Sequence, residues 1–262
     1  MNKKNYSEFY HLHIPKTGGT SLFLMLRENL FPILFKNNIP ISIYNKEKRD
    51  HSGWKPVIDN QYIMSSFRDP VKRVVSHFFW MLNLIEASGI EVTRENKHIF
   101  YFGSNIEDYR NPTKQEFIHW IQKNKNYLSD YQSKNFFYRE NDQVVPMCVI
   151  GCSPALSIKE FNKDEAIKNI LRTNLLIKTE NIKINNFENI FNKILNDFDL
   201  KNTNKIKINT NTSNSNKKSF EFYNSLSKKE IEYIQSINLL DLEIYNTDSF
   251  FWNPKDSEKS VL

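Results

Sequence analysis

The sequence predicts an α/β domain in which helices flank a central, mostly parallel sheet. Three observations lead there. Short β-prone runs alternate with stretches whose apolar residues recur at helical spacing. The 262 residues, 39% hydrophobic and 14% aromatic, suffice for one substantial core. No internal repeat divides the chain, so residues 1–262 read as a single domain. Strands that alternate with helices are joined by right-handed crossovers, and ligands gather at the C-terminal ends of such strands.

Taken in order, residues 9–14 alternate and are β-prone; Pro15 to Gly19 break the pattern, and Leu22, Met25, Leu26 and Leu30 mark a helix over 21–31. A second strand is predicted over 39–44 and a third over 62–67. The next helix has a sharper start. Asp69 suits an N-cap because its carboxylate accepts orphan backbone N–H bonds, and Pro70 suits the first helical position, where its missing N–H costs nothing. Val71, Val74, Val75, Phe78, Phe79 and Leu82 give this helix a broad apolar face, expected to pack on the sheet. Asp69 and Arg73 stand one turn apart and can pair. Residues 86–111 read as an irregular polar loop and 114–123, 129–137 and 155–171 as helices, so that about 86–170 forms a helical, lid-like insertion. A strand over 175–178, a helix over 187–195, a polar loop over 202–218 and a helical pair over 228–245 complete the chain.

Several function classes drop out. Arg27, Asn29, His77 and Asn83 interrupt the apolar runs before they reach the roughly 18 residues of a membrane-spanning helix, so no transmembrane segment is expected. The opening MNKKNYSEFYHLHIPK has neither a continuous apolar stretch nor a small-residue cleavage site, which makes a cytoplasmic location the expectation. Cys148 and Cys152 cannot by themselves complete a four-ligand metal site, and they read as a buried thiol pair. A net charge of +6, from 36 Lys plus Arg against 30 Asp plus Glu, favours an anionic partner: nucleotide, nucleic acid or acidic glycan.

The chemistry concentrates at two strand ends. At the first, His13-Ile14-Pro15-Lys16-Thr17-Gly18-Gly19-Thr20-Ser21, the glycines let the backbone turn with its N–H groups inward, and the following helix N-terminus adds positive potential. Phosphate or sulfate can be cradled there, with Lys16, Thr17, Thr20 and Ser21 supplying charge and hydroxyl donors. The lysine precedes both glycines, whereas a nucleotide-kinase P-loop carries Gly-Lys-Ser/Thr at its end. At the second, Ser65-Ser66-Phe67-Arg68-Asp69-Pro70, Arg68 suits bidentate capture of a phosphate and Ser76 follows two helical turns later.

Together, HIPKTGGTSL at 13–22 and SSFRDPVKRVVSHFFW at 65–80 resemble the carbohydrate sulfotransferases that include the heparan sulfate 2-O- and 6-O-sulfotransferases. LLIKTENI at 175–182, TSNSNKKS at 212–219 and LSKKEIEYIQSINLLDLEIYN at 226–246 are weaker echoes of the same family. The resemblance implies a P-loop NTPase-like sulfotransferase fold and 3'-phosphoadenosine 5'-phosphosulfate (PAPS) as donor, with no metal. It implies that Lys16, Thr17, Gly18, Gly19, Thr20 and Ser21 hold the 5'-phosphosulfate, with Lys16 stabilising charge on the bridging oxygen as the sulfuryl group leaves. Arg68 and Ser76 would hold the 3'-phosphate, and Thr212, Ser213, Lys217 and Lys218 would add nucleotide contacts.

An acceptor hydroxyl needs a base near neutral pH, the usual province of histidine. His51, in KEKRDHSGW, is the candidate, since it occupies the loop before the third strand much where the family carries its catalytic histidine. A carbohydrate acceptor is expected: an oligosaccharide, a polysaccharide or a lipid-linked sugar, and not a nucleic acid. Two other readings remain at this level, a P-loop nucleotide kinase and a non-catalytic module that binds anionic glycan or nucleic acid. The position of Lys16 speaks against the first, and the second predicts binding that weakens steeply with salt and shows no nucleotide preference.

Overall fold

A computed structural model describes residues 6–14, 17, 19–43, 60–88, 111–137, 144–146, 154–156, 161–182, 184–201, 206 and 214–253. Four strands, β1 (Glu8–Leu12), β2 (Ile41–Ile43), β3 (Gln61–Phe67) and β6 (Leu175–Lys178), form a sheet in the order β2-β1-β3-β6, parallel throughout. The inner strands pair over their whole length, from Glu8 opposite Gln61 to Leu12 opposite Ser65. Two short strands, β4 (Val144–Pro146) and β5 (Pro154–Leu156), make a separate antiparallel pair.

Side-chain alternation on the strands builds the two faces. Phe9, Tyr62, Met64, Leu175 and Ile177 lie under α1 (Gly19–Asn29), α2 (Phe31–Lys36) and α8 (Ile184–Asp197), packing on Leu22, Leu26, Phe31, Ile190 and Ile194. Leu12, Ile63, Phe67 and Leu176 face the other way, onto α6 (Tyr131–Lys134), α7 (Lys163–Leu171) and α11 (Leu239–Asn246) through Tyr131, Ile170, Leu240 and Ile244. The result is a three-layer arrangement of helices, sheet and helices.

The helix after β3, α3 (Pro70–Ser88), starts as its sequence predicts: the Lys72 N–H donates to Asp69 Oδ1 at 2.9 Å. Its packing differs from expectation. Val71, Val74, Val75, Phe78, Phe79 and Leu82 lie in a cluster with α4 (Lys114–Lys123), α9 (Asn214–Ser225) and α10 (Lys228–Ser236), and no sheet residue belongs to it. Apolar residues occupy most of the circumference of α3, so other helices must cover it. Phe222 of α9 is central, its ring within 5.2 to 6.4 Å of those of Phe78, Phe79 and Phe117.

Other boundaries move for physical reasons. Within the helix expected over 155–171, the described helix starts at Lys163, where Asn162 caps the first turn by accepting from Glu165 N–H. Residues 154–156 are the strand β5, and the helix expected over 129–137 is confined to Tyr131–Lys134. α3 extends through Ser88, beyond the expected start of the polar loop at 86. α9 starts at Asn214, within the segment read as a loop. Two further residues of the expected insertion, Tyr131 and Phe136, are buried in the core of the second sheet face. Among the described residues, no helix is long and apolar enough to cross a membrane. Cys148 and Cys152 lie outside them.

Candidate functional site

The strand order sets the site. From β1 the chain passes to β2 on one side, then crosses to β3 on the other, so the direction of winding reverses between β1 and β3. In open parallel sheets the crevice beyond the C-terminal ends of two such strands is where ligands bind. The first turn leaves β1 into α1, and the second leaves β3 into α3. Two helix N-termini, each with orphan N–H groups and positive potential, therefore open onto neighbouring strand ends.

A buried hydroxyl joins the turns. The fully buried Thr17 donates from Oγ1 to Ile14 O at 2.8 Å, which leaves its oxygen to accept from Ser66 Oγ at 2.9 Å. Ser65, on the opposite face of β3, donates to Leu12 O at 2.9 Å. From the end of β6, Thr179 Oγ1 reaches Thr17 O at 2.5 Å and Phe67 O at 3.2 Å. One threonine at an edge strand thus fastens the turns of both inner strands.

The second turn is held from the far side of the sheet. Gln132 of α6, fully buried, accepts from Arg68 N–H at 2.8 Å through Oε1 and donates to Arg68 O at 2.9 Å through Nε2. Asp241 of α11 fixes Gln132 in turn, accepting from its backbone N–H at 3.0 Å, from Ser133 N–H at 2.8 Å and from the Ser133 hydroxyl. Asp130, in the left-handed region at φ 44°, accepts from the N–H groups of Leu240 and Asp241 at 2.8 and 3.1 Å. Its carboxylate thereby caps the first turn of α11.

The pairing with Asp69 that spacing allows Arg73 is not the one the fold makes. Fully buried, Arg73 donates to Leu128 O at 3.2 Å and lies 4.6 Å from the ring centre of Tyr131. Burial lowers its pKa, while Asp241 favours the charged form. This guanidinium points into the α6–α11 junction because α3 has no solvent-facing side there.

Around Arg68 the structure gathers charged and phenolic groups. Burial lowers the Arg68 pKa, and Glu180, Asp69 and Tyr245 act in the opposite sense. Tyr245 is raised far above the usual phenol range by burial and by Glu180, with which it also shares a hydrogen bond; Tyr223 is raised by burial, Asp69 and Glu180. Both phenols are hydrogen-bond donors at neutral pH. Lys178 sits 4.9 Å from the ring centres of Tyr245 and Phe251 and bonds Asp248 at 2.7 Å.

Of the residues singled out from sequence, Thr17 and Arg68 stand at the crevice, and Gly19, Thr20 and Ser21 form the first turn of α1. Ser76 is buried on α3. Lys217 and Lys218 are exposed on α9 rather than in a loop, Lys217 lying 4.0 Å from Glu221 one turn on. Lys16, Gly18, His51, Thr212 and Ser213 lie outside the described residues. Gln132 and Tyr223 lie in none of the segments quoted from the sequence and emerge only from the fold; Thr179 and Glu180 fall within LLIKTENI, and Asp241 and Tyr245 within LSKKEIEYIQSINLLDLEIYN, but none of the four is singled out there.

The chain matches no protein-family model, and no curated protein matches it.

Proposed function

We propose that this chain is a PAPS-dependent sulfotransferase of the P-loop NTPase-like type, transferring a sulfuryl group to a hydroxyl of a carbohydrate. The observation that carries the reading is the Thr17–Ser66 hydrogen bond, which joins the HIPKTGGTS turn to the SSFRDP turn at the switch point of the sheet. A donor with two separated anionic groups suits two neighbouring helix N-termini, the second preceded by an arginine. In this reading the turn over 16–21 takes the 5'-phosphosulfate, and Arg68 with Ser76 takes the 3'-phosphate. Thr212, Ser213, Lys217 and Lys218 add nucleotide contacts.

The reaction is an in-line displacement. The acceptor oxygen forms a bond to sulfur as the bond from sulfur to the bridging phosphate oxygen breaks. His51 receives the acceptor proton, and Lys16 stabilises the negative charge that develops on the departing adenosine 3',5'-bisphosphate. Lysine, arginine and helix dipoles supply the electrostatic stabilisation, so the proposed chemistry does not call on a metal. The acceptor is a saccharide, free or lipid-linked, and the proposed location is cytoplasmic.

A thermal-shift titration with adenosine 3',5'-bisphosphate, against ADP with and without magnesium, tests the reading. Stabilisation by the bisphosphate without magnesium is expected. Equal indifference to every ligand overturns the donor assignment, and a magnesium-dependent preference for ADP points to a kinase instead.

A further inference from the structure

We infer that Gln132 is a positioning residue for the Arg68 side chain, acting as a two-point clamp on the backbone from which that side chain departs; this rests on the reading of Arg68 as the 3'-phosphate ligand. The Gln132 amide engages both polar groups of the Arg68 peptide, at 2.8 and 2.9 Å, as a neighbouring strand would at a point where none continues. Gln132 is fully buried, and its own backbone and amide nitrogens both meet Asp241, at 3.0 and 3.4 Å. Asp241, also fully buried, accepts from residues 132 and 133, so its carboxylate orients the segment that carries the clamp.

The consequence lies at the side chain. A bidentate guanidinium contact depends on where Cα stands and where the Cα–Cβ bond points, and displacements well under the length of a hydrogen bond degrade it. Arg68 follows directly on β3, whose last ladder residue is Phe67, opposite Lys178. Beyond Phe67, Gln132 replaces the ladder. Capture of the 3'-phosphate therefore depends on a residue 64 positions away that never touches the nucleotide.

Calorimetric titration of Gln132→Met with adenosine 3',5'-bisphosphate and with AMP tests this. Methionine keeps the length and approximate volume and removes both bonds. The expected result is a loss of roughly tenfold in bisphosphate affinity, about 1.4 kcal/mol, with AMP affinity changed less than about twofold, so that the preference for a 3'-phosphate narrows. Should Gln132→Met fail to fold, Gln132→Asn decides: it is one methylene too short to reach both Arg68 groups, and the same narrowing is expected. An unchanged preference overturns the inference, as does an equal loss for both ligands, which marks a merely structural role. If the unaltered chain itself shows no preference for bisphosphate over AMP, the donor reading falls and takes this inference with it; a preference that survives in both variants removes the inference alone.

Discussion

The turns after β1 and β3 stand side by side on adjacent parallel strands and share the Thr179 hydroxyl, yet their other ties come from different groups. The first is tied through side-chain hydroxyls: Thr17 to Ile14 three residues back, Ser66 to Thr17, and Thr179 to the Thr17 carbonyl. Besides Thr179 on the Phe67 carbonyl, the second is tied by carboxamide and carboxylate, with Gln132 on both Arg68 backbone groups and Asp69 on the Lys72 N–H. A loop that wraps a ligand with its own amides is best held by side chains from behind. A turn that offers one long side chain to a ligand needs its peptide fixed. The contrast suits a first turn that cradles and a second that grasps.

The substitution with the largest expected effect breaks the first turn's chemistry. Lys16→Ala is expected to lower kcat about a thousandfold, the size of losing one group that stabilises transition-state charge, with bisphosphate affinity largely kept; single-turnover transfer of radiolabelled sulfate measures it, and unchanged turnover removes Lys16 from the mechanism. Arg68→Ala strikes the second turn and is expected to reverse the pattern, weakening adenosine 3',5'-bisphosphate by about thirtyfold while sparing AMP, as loss of one charge-assisted contact does. Equal losses for both nucleotides would make the two turns one site with no division of labour.

A smaller effect concerns the strand beneath the first turn. His11 is fully buried and burial pushes its pKa down to about 4, against an ordinary value near 6.5. Between those values the unfolded chain binds more protons than the folded one, so stability is complete above about pH 6.5 and falls as the pH drops toward about 4. The expected slope approaches 1.4 kcal/mol per pH unit within that window. Urea midpoints for His11→Leu should show a flatter profile there; an identical profile assigns the acid sensitivity elsewhere. Smallest of all, Thr17→Val removes one hydroxyl and strands the Ser66 hydroxyl and Ile14 carbonyl, with an expected cost of about 1 to 3 kcal/mol. A calorimetric Tm within a degree of the parent's would show that the knot between the turns is dispensable.

What the sequence makes legible is what neighbours in the chain decide. Asp69-Pro70 announces a helix start because the cap bonds reach only three residues. Short β-prone runs that alternate with helices announce a mostly parallel sheet, whereas the adjacency and register of β1 and β3, and hence the pairing of the two turns, come only from the fold. The Gln132 clamp is invisible there, since Asp241, 109 residues away, gives no periodic or compositional sign of its partner. Arg73 misleads for a similar reason: spacing offers it Asp69, while burial sends it to Leu128 and Tyr131. The first five residues of α9, 214–218, read as the end of a loop because NSNKK is polar, and they are helical in a helix that Phe222 anchors among Phe78, Phe79 and Phe117.

The Asp241–Gln132 contact also imposes an order of events during synthesis. The ribosome makes β1, β3 and their turns early, and the Thr179 fastening becomes available only when β6 has emerged. Asp241 lies in the last of the described α-helices. Gln132 is made before β6, so a nascent chain can complete its sheet with the clamp on Arg68 already synthesised, while Asp241, the carboxylate that orients that clamp, is still to come.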